Sequence, residues 1–514
     1  MSNLDWLVIC VYLLGMLALS AFIGAGQQSR KDYYLGGGRL PAWSLATSTI
    51  ATQCSTNSLL GAPACVGFVA GGGMIWLQYE LAVPLAMLAL MFLFLPMRQG
   101  SFISVYAFLE QRLGRNARLV ASSCFQLFRG VATGVTVYGV ALVVTLLIDV
   151  SYTQAVLILM GVTIAYDVMG GMRAVVISDV VQIVLIIGAV IASLFLLSAE
   201  LGDVSVLFEQ RTNALDFSWG LDNSGNYGFW PMLIGGLFLY VAYYGCDQSQ
   251  AQRILAASSP DDTRKVLLLN GILRFPLVMM YCLLGLALAA YAGEREFLSL
   301  LPTQQNGQPN YNLAYPIYVL TTFPPGMVGL VMVGIFAAAM SSIDSALNSL
   351  SAATIEDYFD RDNNRSERSL VIASKLSTLG WGLFAVVFSY QVENIAPTVL
   401  EAINKIGSMA NGPLLALFVL ALIFPGVGER RALSGFFIGL ISNGLLWQLA
   451  PGVSWLWWNV SGFAVAMIVA LSGALSSGLV QAQWPGRLVP AGTTTALVAM
   501  AGLIFFVCVL FEQL

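Results

Sequence analysis

Apolar runs of membrane-spanning length recur from one end of this 514-residue chain to the other. Hydrocarbon offers a backbone no hydrogen bonds, so a spanning chain must be helical or a closed barrel. The runs lie at about 4–23, 43–69, 76–96, 121–150, 153–169, 175–198, 229–250, 265–290, 327–353, 369–390, 402–424, 432–449, 459–479 and 493–513. Helices need roughly 17–25 apolar residues to span, whereas barrel strands are short and alternating. The spacing therefore predicts an all-α polytopic membrane protein of about fourteen transmembrane helices. Composition agrees: 58% of residues are hydrophobic and 10% charged, against about a quarter charged in soluble domains. No stretch is large enough for a separate soluble activity. The absence of histidine removes the commonest general base and metal ligand. No nucleophile–base constellation is visible, so the chain is not expected to be an enzyme.

Basic residues alternate across the loops. Eighteen of the 23 Lys and Arg follow odd-numbered runs: Arg30, Lys31, Arg39, Arg98, Arg112, Arg115, Arg118, Arg173, Arg253, Arg264, Lys265, Arg361, Arg365, Arg368, Lys375, Arg430, Arg431 and Arg487. Arg211, Arg295 and Lys405 lie on the opposite side, and Arg129 and Arg274 lie inside runs. The positive-inside rule then puts both termini outside. Run 4–23 lacks a basic n-region and a cleavage site, so it reads as a retained helix. Segments 199–228 and 291–326, rich in Asn, Gly, Pro and acidic residues, are candidate external lids. Trp455, Trp457 and Trp458 stand at an outer helix end, as an interfacial aromatic belt would. The cysteines (Cys10, Cys54, Cys65, Cys124, Cys246, Cys282, Cys508) fall in or beside apolar runs and read as small buried hydrophobes without a disulfide or zinc pattern.

Within the ninth run, Gly334 to Ser349 carries a strip of short polar side chains and one carboxylate. As a helix, Ala338, Ser341, Ser342 and Ser345 share a face, with Asp344 at its border. Hydroxyls and carbonyls are suitable ligands for a hard cation such as sodium. Small-residue packing between helices would use the same residues, but Asp344 favours an ion or proton site.

The second run is polar at its centre, Ala51-Thr52-Gln53-Cys54-Ser55-Thr56-Asn57-Ser58, followed by Gly61 and Pro63. Such a run is costly in lipid unless the backbone opens toward a cavity, as in the broken helices of transporters. The seventh run holds Tyr240, Tyr243 and Tyr244 before Gly245-Cys246-Asp247-Gln248, and lies five helices on. It reads either as a second interruption or as interfacial residues. Asp179 follows Arg173 by six residues and either pairs with it or turns inward to neutralise a cation. Gln78, Glu80 and Arg129 also need partners in the bundle.

These pieces resemble the sodium/solute symporter family of sodium-coupled sugar, sialic-acid, proline, iodide, monocarboxylate and vitamin carriers. The matching residues are Gly170-Gly171-Met172-Arg173 leading to Asp179-Val180-Val181-Gln182, Ala337-Ala338-Ala339-Met340-Ser341-Ser342 with Leu347-Asn348-Ser349, Gln252-Arg253, and Asp32-Tyr33-Tyr34-Leu35-Gly36-Gly37. The resemblance implies one transporter domain, 1–514, with leucine-transporter-like inverted five-helix repeats. A leading helix (4–23) would precede a first repeat (about 43–198), a second repeat (about 229–424) and C-terminal helices (432–513). It implies a main sodium site on the carbonyls of Ala51, Cys54 and Ala338 and the hydroxyls of Ser341 and Ser342. A second sodium, where family members bind one, would fall on Asp179, Ser341, Asp344 and Ser345. Substrate positions fall on Gln53, Ser55, Ser58, Gln78, Tyr240 and Tyr243, the last resembling an aromatic inner gate. Asp344 departs from sialic-acid carriers, which have a hydroxyl there, and their carboxylate-gripping arginine falls on Ala132, with Arg129 one turn away.

The expected function is a sodium-coupled secondary symporter of a bacterial inner or plasma membrane, importing a small polar organic solute by alternating access. Na+ is the expected coupling ion, and the partners are solute, sodium and the lipid bilayer, with no nucleic acid and no obligate protein. The alternatives are a proton-coupled symporter using Asp179 or Asp344, and a transporter-like membrane sensor. No kinase-like or receiver segment follows residue 514, which disfavours the sensor.

Overall fold

The computed structural model describes the chain except residues 70, 96, 98–101, 210, 223–226, 294–295, 304–306, 360–364, 393–398, 476–481 and 485–488. Of the charges used for orientation, Arg98, Arg295, Arg361 and Arg487 lie outside the described residues, as does the end of the run expected at 459–479. The helices are α1 (Asn3–Gly24), α2 (Arg30–Leu35), α3 (Ala42–Gln53), α4 (Thr56–Phe68), α5 (Trp76–Tyr79), α6 (Ala82–Leu93), α7 (Ala107–Arg112), α8 (Arg115–Ile148), α9 (Tyr152–Leu201) and α10 (Gly236–Cys246). They continue with α11 (Gln248–Ala256), α12 (Pro260–Gly293), α13 (Ala314–Thr322), α14 (Met327–Thr354), α15 (Glu367–Ser389), α16 (Val399–Ile423), α17 (Glu429–Leu449), α18 (Trp457–Leu475) and α19 (Ala491–Glu512). Among the described residues, 9 helices are long and apolar enough to cross a membrane. Shorter apolar helices occupy Ser58–Phe68, Pro231–Cys246, Gly407–Ile423 and Trp457–Ser472. The protein is an all-helical membrane protein.

Burial orders the bundle. In α14, 83% of the apolar window is inside the protein, against 17% in α1 and 28% in α19. α14 is therefore the central post, and α1 and α19 turn large apolar surfaces outward, as lipid-facing helices do. The small residues of α14 permit this, because they let α9, α1, α8 and α3 pack closely around it. Asp5 fixes one end: it takes part in a capping box with Ser2, and its Oδ1 accepts from the N–H of Gly326 (2.7 Å) and Gly329 (2.8 Å). A Cβ at Gly329 would stand 2.6 Å from the Asp5 Cα, so only glycine admits α1 there.

The runs expected at 153–169 and 175–198 belong to one 50-residue element, α9, interrupted at Gly171 (φ 54°, ψ −162°). That conformation suits glycine alone, and a Cβ would meet the Tyr33 carbonyl at 2.6 Å. The candidate lid 291–326 contains α13 and two short 3₁₀ turns. The other, 199–228, is strapped down by two side chains. Glu512, at the end of α19, accepts from the N–H of Ala214 (2.7 Å) and Leu215 (3.0 Å). Gln78 donates to the Tyr227 carbonyl (2.7 Å) and accepts from the Asp216 N–H (3.1 Å).

Two expectations need correction. Trp455 and Trp458 are not belt residues: they are 5% and 2% exposed, drawn inward where Leu456 packs on Gly235. Cys10 is exposed, on the outward face of α1; Cys54, Cys246, Cys282 and Cys508 are buried, Cys65 and Cys124 partly so, and all seven are free.

Candidate functional site

The second run breaks, and the break creates polar groups. α3 ends at Gln53, Cys54 leaves the helix (φ −81°, ψ 60°), and Ser55 starts α4 in an extended conformation. A helix end leaves carbonyls without helical donors. Here the Ser341 hydroxyl donates to the Ala51 carbonyl (3.2 Å) and the Ser342 hydroxyl to the Thr52 carbonyl (3.0 Å). Both hydroxyls also reach the Ala338 carbonyl, at 3.2 and 3.3 Å. Ala51, Ala338, Ser341 and Ser342 thus bring their oxygens together where α14 crosses the break, and Cys54 occupies the break itself. Neutral oxygens clustered this way are chemically suited to a monovalent hard cation.

The seventh run breaks too. α10 ends at Cys246, and Asp247 (φ −82°, ψ 121°) caps α11 through the Ser249 N–H (2.8 Å). Its other carboxylate oxygen takes the Arg129 guanidinium at 2.5 Å. Both breaks open on one cavity of about 300 Å³, the size of a small solute. Gln53, Ser55, Ser58, Tyr240 and Tyr243 line it, together with Ser342 and Cys54. The Tyr244 hydroxyl lies between Gln53 Oε1 and Asn270 Oδ1, while Gln250 donates to the Tyr243 hydroxyl at 3.0 Å.

Gln78 stands apart. It is fully buried and its amide is spent on Asp216 and Tyr227, and it does not line the cavity. The polar group that α5 and its C-terminal flank deliver beside the cavity is Glu80. Its Oε1 pairs with Arg274 of α12 at 2.9 Å, and Arg274 also donates to the Tyr240 hydroxyl at 2.7 Å. Arg274 lines the cavity, yet its Nε and Nη1 have no hydrogen-bond partner among the described residues. The signal for it was an arginine inside an apolar run, although its partner 194 residues away was not readable.

Of the two readings open for Asp179, pairing with Arg173 fails, because Arg173 is exposed and Asp179 turns inward, away from solvent. Its Oδ2 accepts from Ser48 (2.5 Å) and from Arg253 Nη2 (3.3 Å), with both members of the ion pair buried. Arg253 also donates to Ser345, to the Ser249 carbonyl and, through Nε, to Ser48 at 2.8 Å. The expected second-sodium residues Asp179, Ser341, Asp344 and Ser345 do gather: Ser345 donates to Asp344 Oδ1 (3.1 Å) and to the Ser341 carbonyl (2.8 Å). A guanidinium, however, already holds the Asp179–Ser345 side. Arg253 belonged to a noted motif, but nothing local to it revealed that role.

Residues 33–439 match the sodium:solute symporter family. The chain belongs to that family. It is accordingly a sodium-coupled solute symporter, and Na+ is its coupling ion. It is 28% identical over 482 residues to the sodium/sialic acid symporter of Aliivibrio fischeri, covering 91% of this chain and 92% of that one. It is 26% identical over 489 residues to the sodium/sialic acid symporter of Proteus mirabilis, covering 93% and 95%. The human sodium/iodide cotransporter is 27% identical, with 85% of this chain and 68% of that one covered. A solved structure of a sodium-coupled sialic acid symporter in a substrate-bound outward-open state superposes with a TM-score of 0.83 at 23% identity, covering 94% of this chain and 99% of that one. The symporter fold is therefore shared.

Proposed function

We propose that this symporter imports a small polar organic solute with sodium by alternating access, using the cavity between the two broken helices. The observation that carries the reading is the meeting of the Ser341 and Ser342 hydroxyls with the Ala51, Thr52 and Ala338 carbonyls, beside a cavity that Thr52 and Ser342 line. Sodium there, held by Ala51, Cys54, Ala338, Ser341 and Ser342, would tie α14 to the α3–α4 break and so complete the solute site. A ligand shifts such an equilibrium only by its differential affinity for the two states.

Gln53, Ser55, Ser58, Tyr240 and Tyr243 are the proposed solute contacts, with Arg274 added and Gln78 removed. Among the described residues, donors of the cavity lining without a partner are Arg274 Nε and Nη1, the Tyr281 hydroxyl and the Trp455 indole N–H. They suit a solute rich in acceptors, whether a carboxylate or a set of hydroxyls. Ala132 lines the cavity and Arg129 is committed to Asp247, so the sialic acid of the bacterial relatives would have to be gripped by Arg274 instead.

Fourteen spans follow if α9 is counted on each side of Gly171 alongside the other eight long helices and four shorter apolar ones, with the short helix Ser58–Phe68 standing for the broken second span. The breaks at Cys54 and Asp247 then fall five spans apart, which supports two inverted repeats within one transporter domain, a leading α1 and added C-terminal helices. The bias of basic residues supports external termini in a bacterial inner or plasma membrane. Uptake of candidate solutes into proteoliposomes with and without an inward sodium gradient tests the reading; gradient-independent uptake of every solute would overturn it.

A further inference from the structure

At the end of the bundle where α3 and α12 begin, a second hollow of about 510 Å³ shares no lining residue with the transport cavity. Arg39 and Trp43 stand on one wall, and Asp262, Lys265, Leu268 and Leu269 on the other. A backbone bridge between Leu40 and Ala257 joins the segments that carry them. Each wall runs from charge to hydrocarbon. Arg39 is exposed just ahead of α3, and Trp43, the second residue of that helix, is 57% exposed. On α12, Lys265, Leu268, Leu269 and Leu273 share one face. Lys265 is exposed near the helix start, and Leu273, two turns further in, is 47% exposed.

Apolar surface on a membrane-spanning helix meets acyl chains, whereas basic side chains and tryptophan settle at the headgroup level. The charges of this hollow are not balanced from within. Among the described residues the Arg39 guanidinium has no ion pair or hydrogen bond. Lys265 reaches Asp262 at 3.4 Å, but an exposed pair of this kind holds weakly. Asp262 also accepts from the Ser258 hydroxyl and from that of Ser259 at 2.9 Å, so it stays satisfied when Lys265 turns away. One uncommitted cation and one loosely held cation therefore face the same hollow. Phosphate is an anion that guanidinium and ammonium groups grip well.

We propose that this hollow binds an anionic phospholipid, with its phosphate between Arg39 and Lys265 and its acyl chains along Trp43, Leu268 and Leu269. Basic pockets between membrane helices take such headgroups. The lipid ties the start of α3, whose far end is the break at Cys54, to the start of α12, which carries Arg274. It thereby braces two helices that frame the transport cavity without entering it. On the orientation proposed above, this end lies in the cytoplasmic leaflet, where anionic lipid collects. Lipid added in detergent reaches the hollow in either orientation.

Thermal unfolding of the purified full-length protein in a neutral detergent tests it without knowledge of the solute. Phosphatidylglycerol should raise the unfolding temperature more than phosphatidylcholine with the same acyl chains. The excess should vanish in Arg39→Gln combined with Lys265→Gln, two exposed positions whose change leaves the core intact. Arg368→Gln combined with Arg430→Gln, which removes the same charge from exposed positions elsewhere, should keep it. Native mass spectrometry should find one fewer retained phosphatidylglycerol per chain in the first variant, a count that does not depend on its stability. Equal gains from the two lipids in wild type, an excess that survives in the first variant, or an excess lost equally in both variants would overturn the proposal. A gain reproduced by inorganic phosphate alone would assign the hollow to a free anion and overturn the lipid.

Discussion

The Arg253 guanidinium lies 3.3 Å from the Asp179 carboxylate, with the side chains 1% and 0% exposed. The pair joins α11, just after the second break, to the half of α9 beyond Gly171. In so doing it sets a fixed positive charge beside the Thr52–Ser345 contact (2.9 Å) that borders the proposed sodium ligands.

Removing one member of such a pair is expected to harm more than removing both. Arg253→Met should destabilise by about 3–5 kcal/mol, because it strands a buried carboxylate. Arg253→Met combined with Asp179→Leu should recover much of that loss. Thermal unfolding in detergent measures it; a double variant as unstable as the sum of its singles would show that the two residues act independently.

Ser341→Ala and Ser342→Ala each delete an oxygen that reaches a carbonyl freed by the break. Losing one such contact costs about 1 kcal/mol, or roughly fivefold in affinity. The sodium concentration for half-maximal uptake should rise by at least that factor while membrane insertion stays intact. Wild-type sodium dependence in both variants would reduce the strip to helix packing.

Sodium itself should protect the fold. At one hundred times its dissociation constant, a ligand that binds only the folded state adds about 2.7 kcal/mol. Replacing sodium with choline should therefore lower the unfolding temperature of wild type, and the difference should shrink in Ser341→Ala. Equal unfolding temperatures in the two salts would argue against binding at this site.

Gln53→Ala and Tyr243→Ala should weaken affinity for the transported solute by about one to two decades. Gln78→Ala should behave differently, leaving affinity near wild type and loosening segment 214–227, which faster proteolysis or hydrogen exchange of that segment would register. A solute-affinity loss in Gln78→Ala equal to that in Tyr243→Ala would return Gln78 to the cavity.

What could be read from the chain followed from lipid chemistry. A run such as Ala51–Ser58 cannot remain a closed helix in hydrocarbon, so its break was legible, and Ser341 and Ser342 were legible by helical periodicity. Pairings across long separations were not. Asp179 offered Arg173 six residues away, yet its partner came from Arg253, because burial selects whichever cation the fold brings inside. Gln78 and Glu80 are two residues apart on a short helical turn and its flank, and sequence did not say which would face the cavity. Trp455 and Trp458 show the same limit: a Trp cluster at a helix end looks alike whether it meets lipid or its own bundle.

The clamp formed by Glu512 has a mechanical consequence. One carboxylate at the edge of the bundle grips the Ala214 and Leu215 amides, Gln78 grips the same strand at Asp216 and again at Tyr227, and Tyr227 lines the cavity. A lipid-facing helix thus anchors two residues of this segment, and Gln78 links it to a residue of the cavity wall. A displacement of α19 would therefore be felt first at Ala214 and Leu215, whose neighbour Asp216 shares Gln78 with the cavity-lining Tyr227.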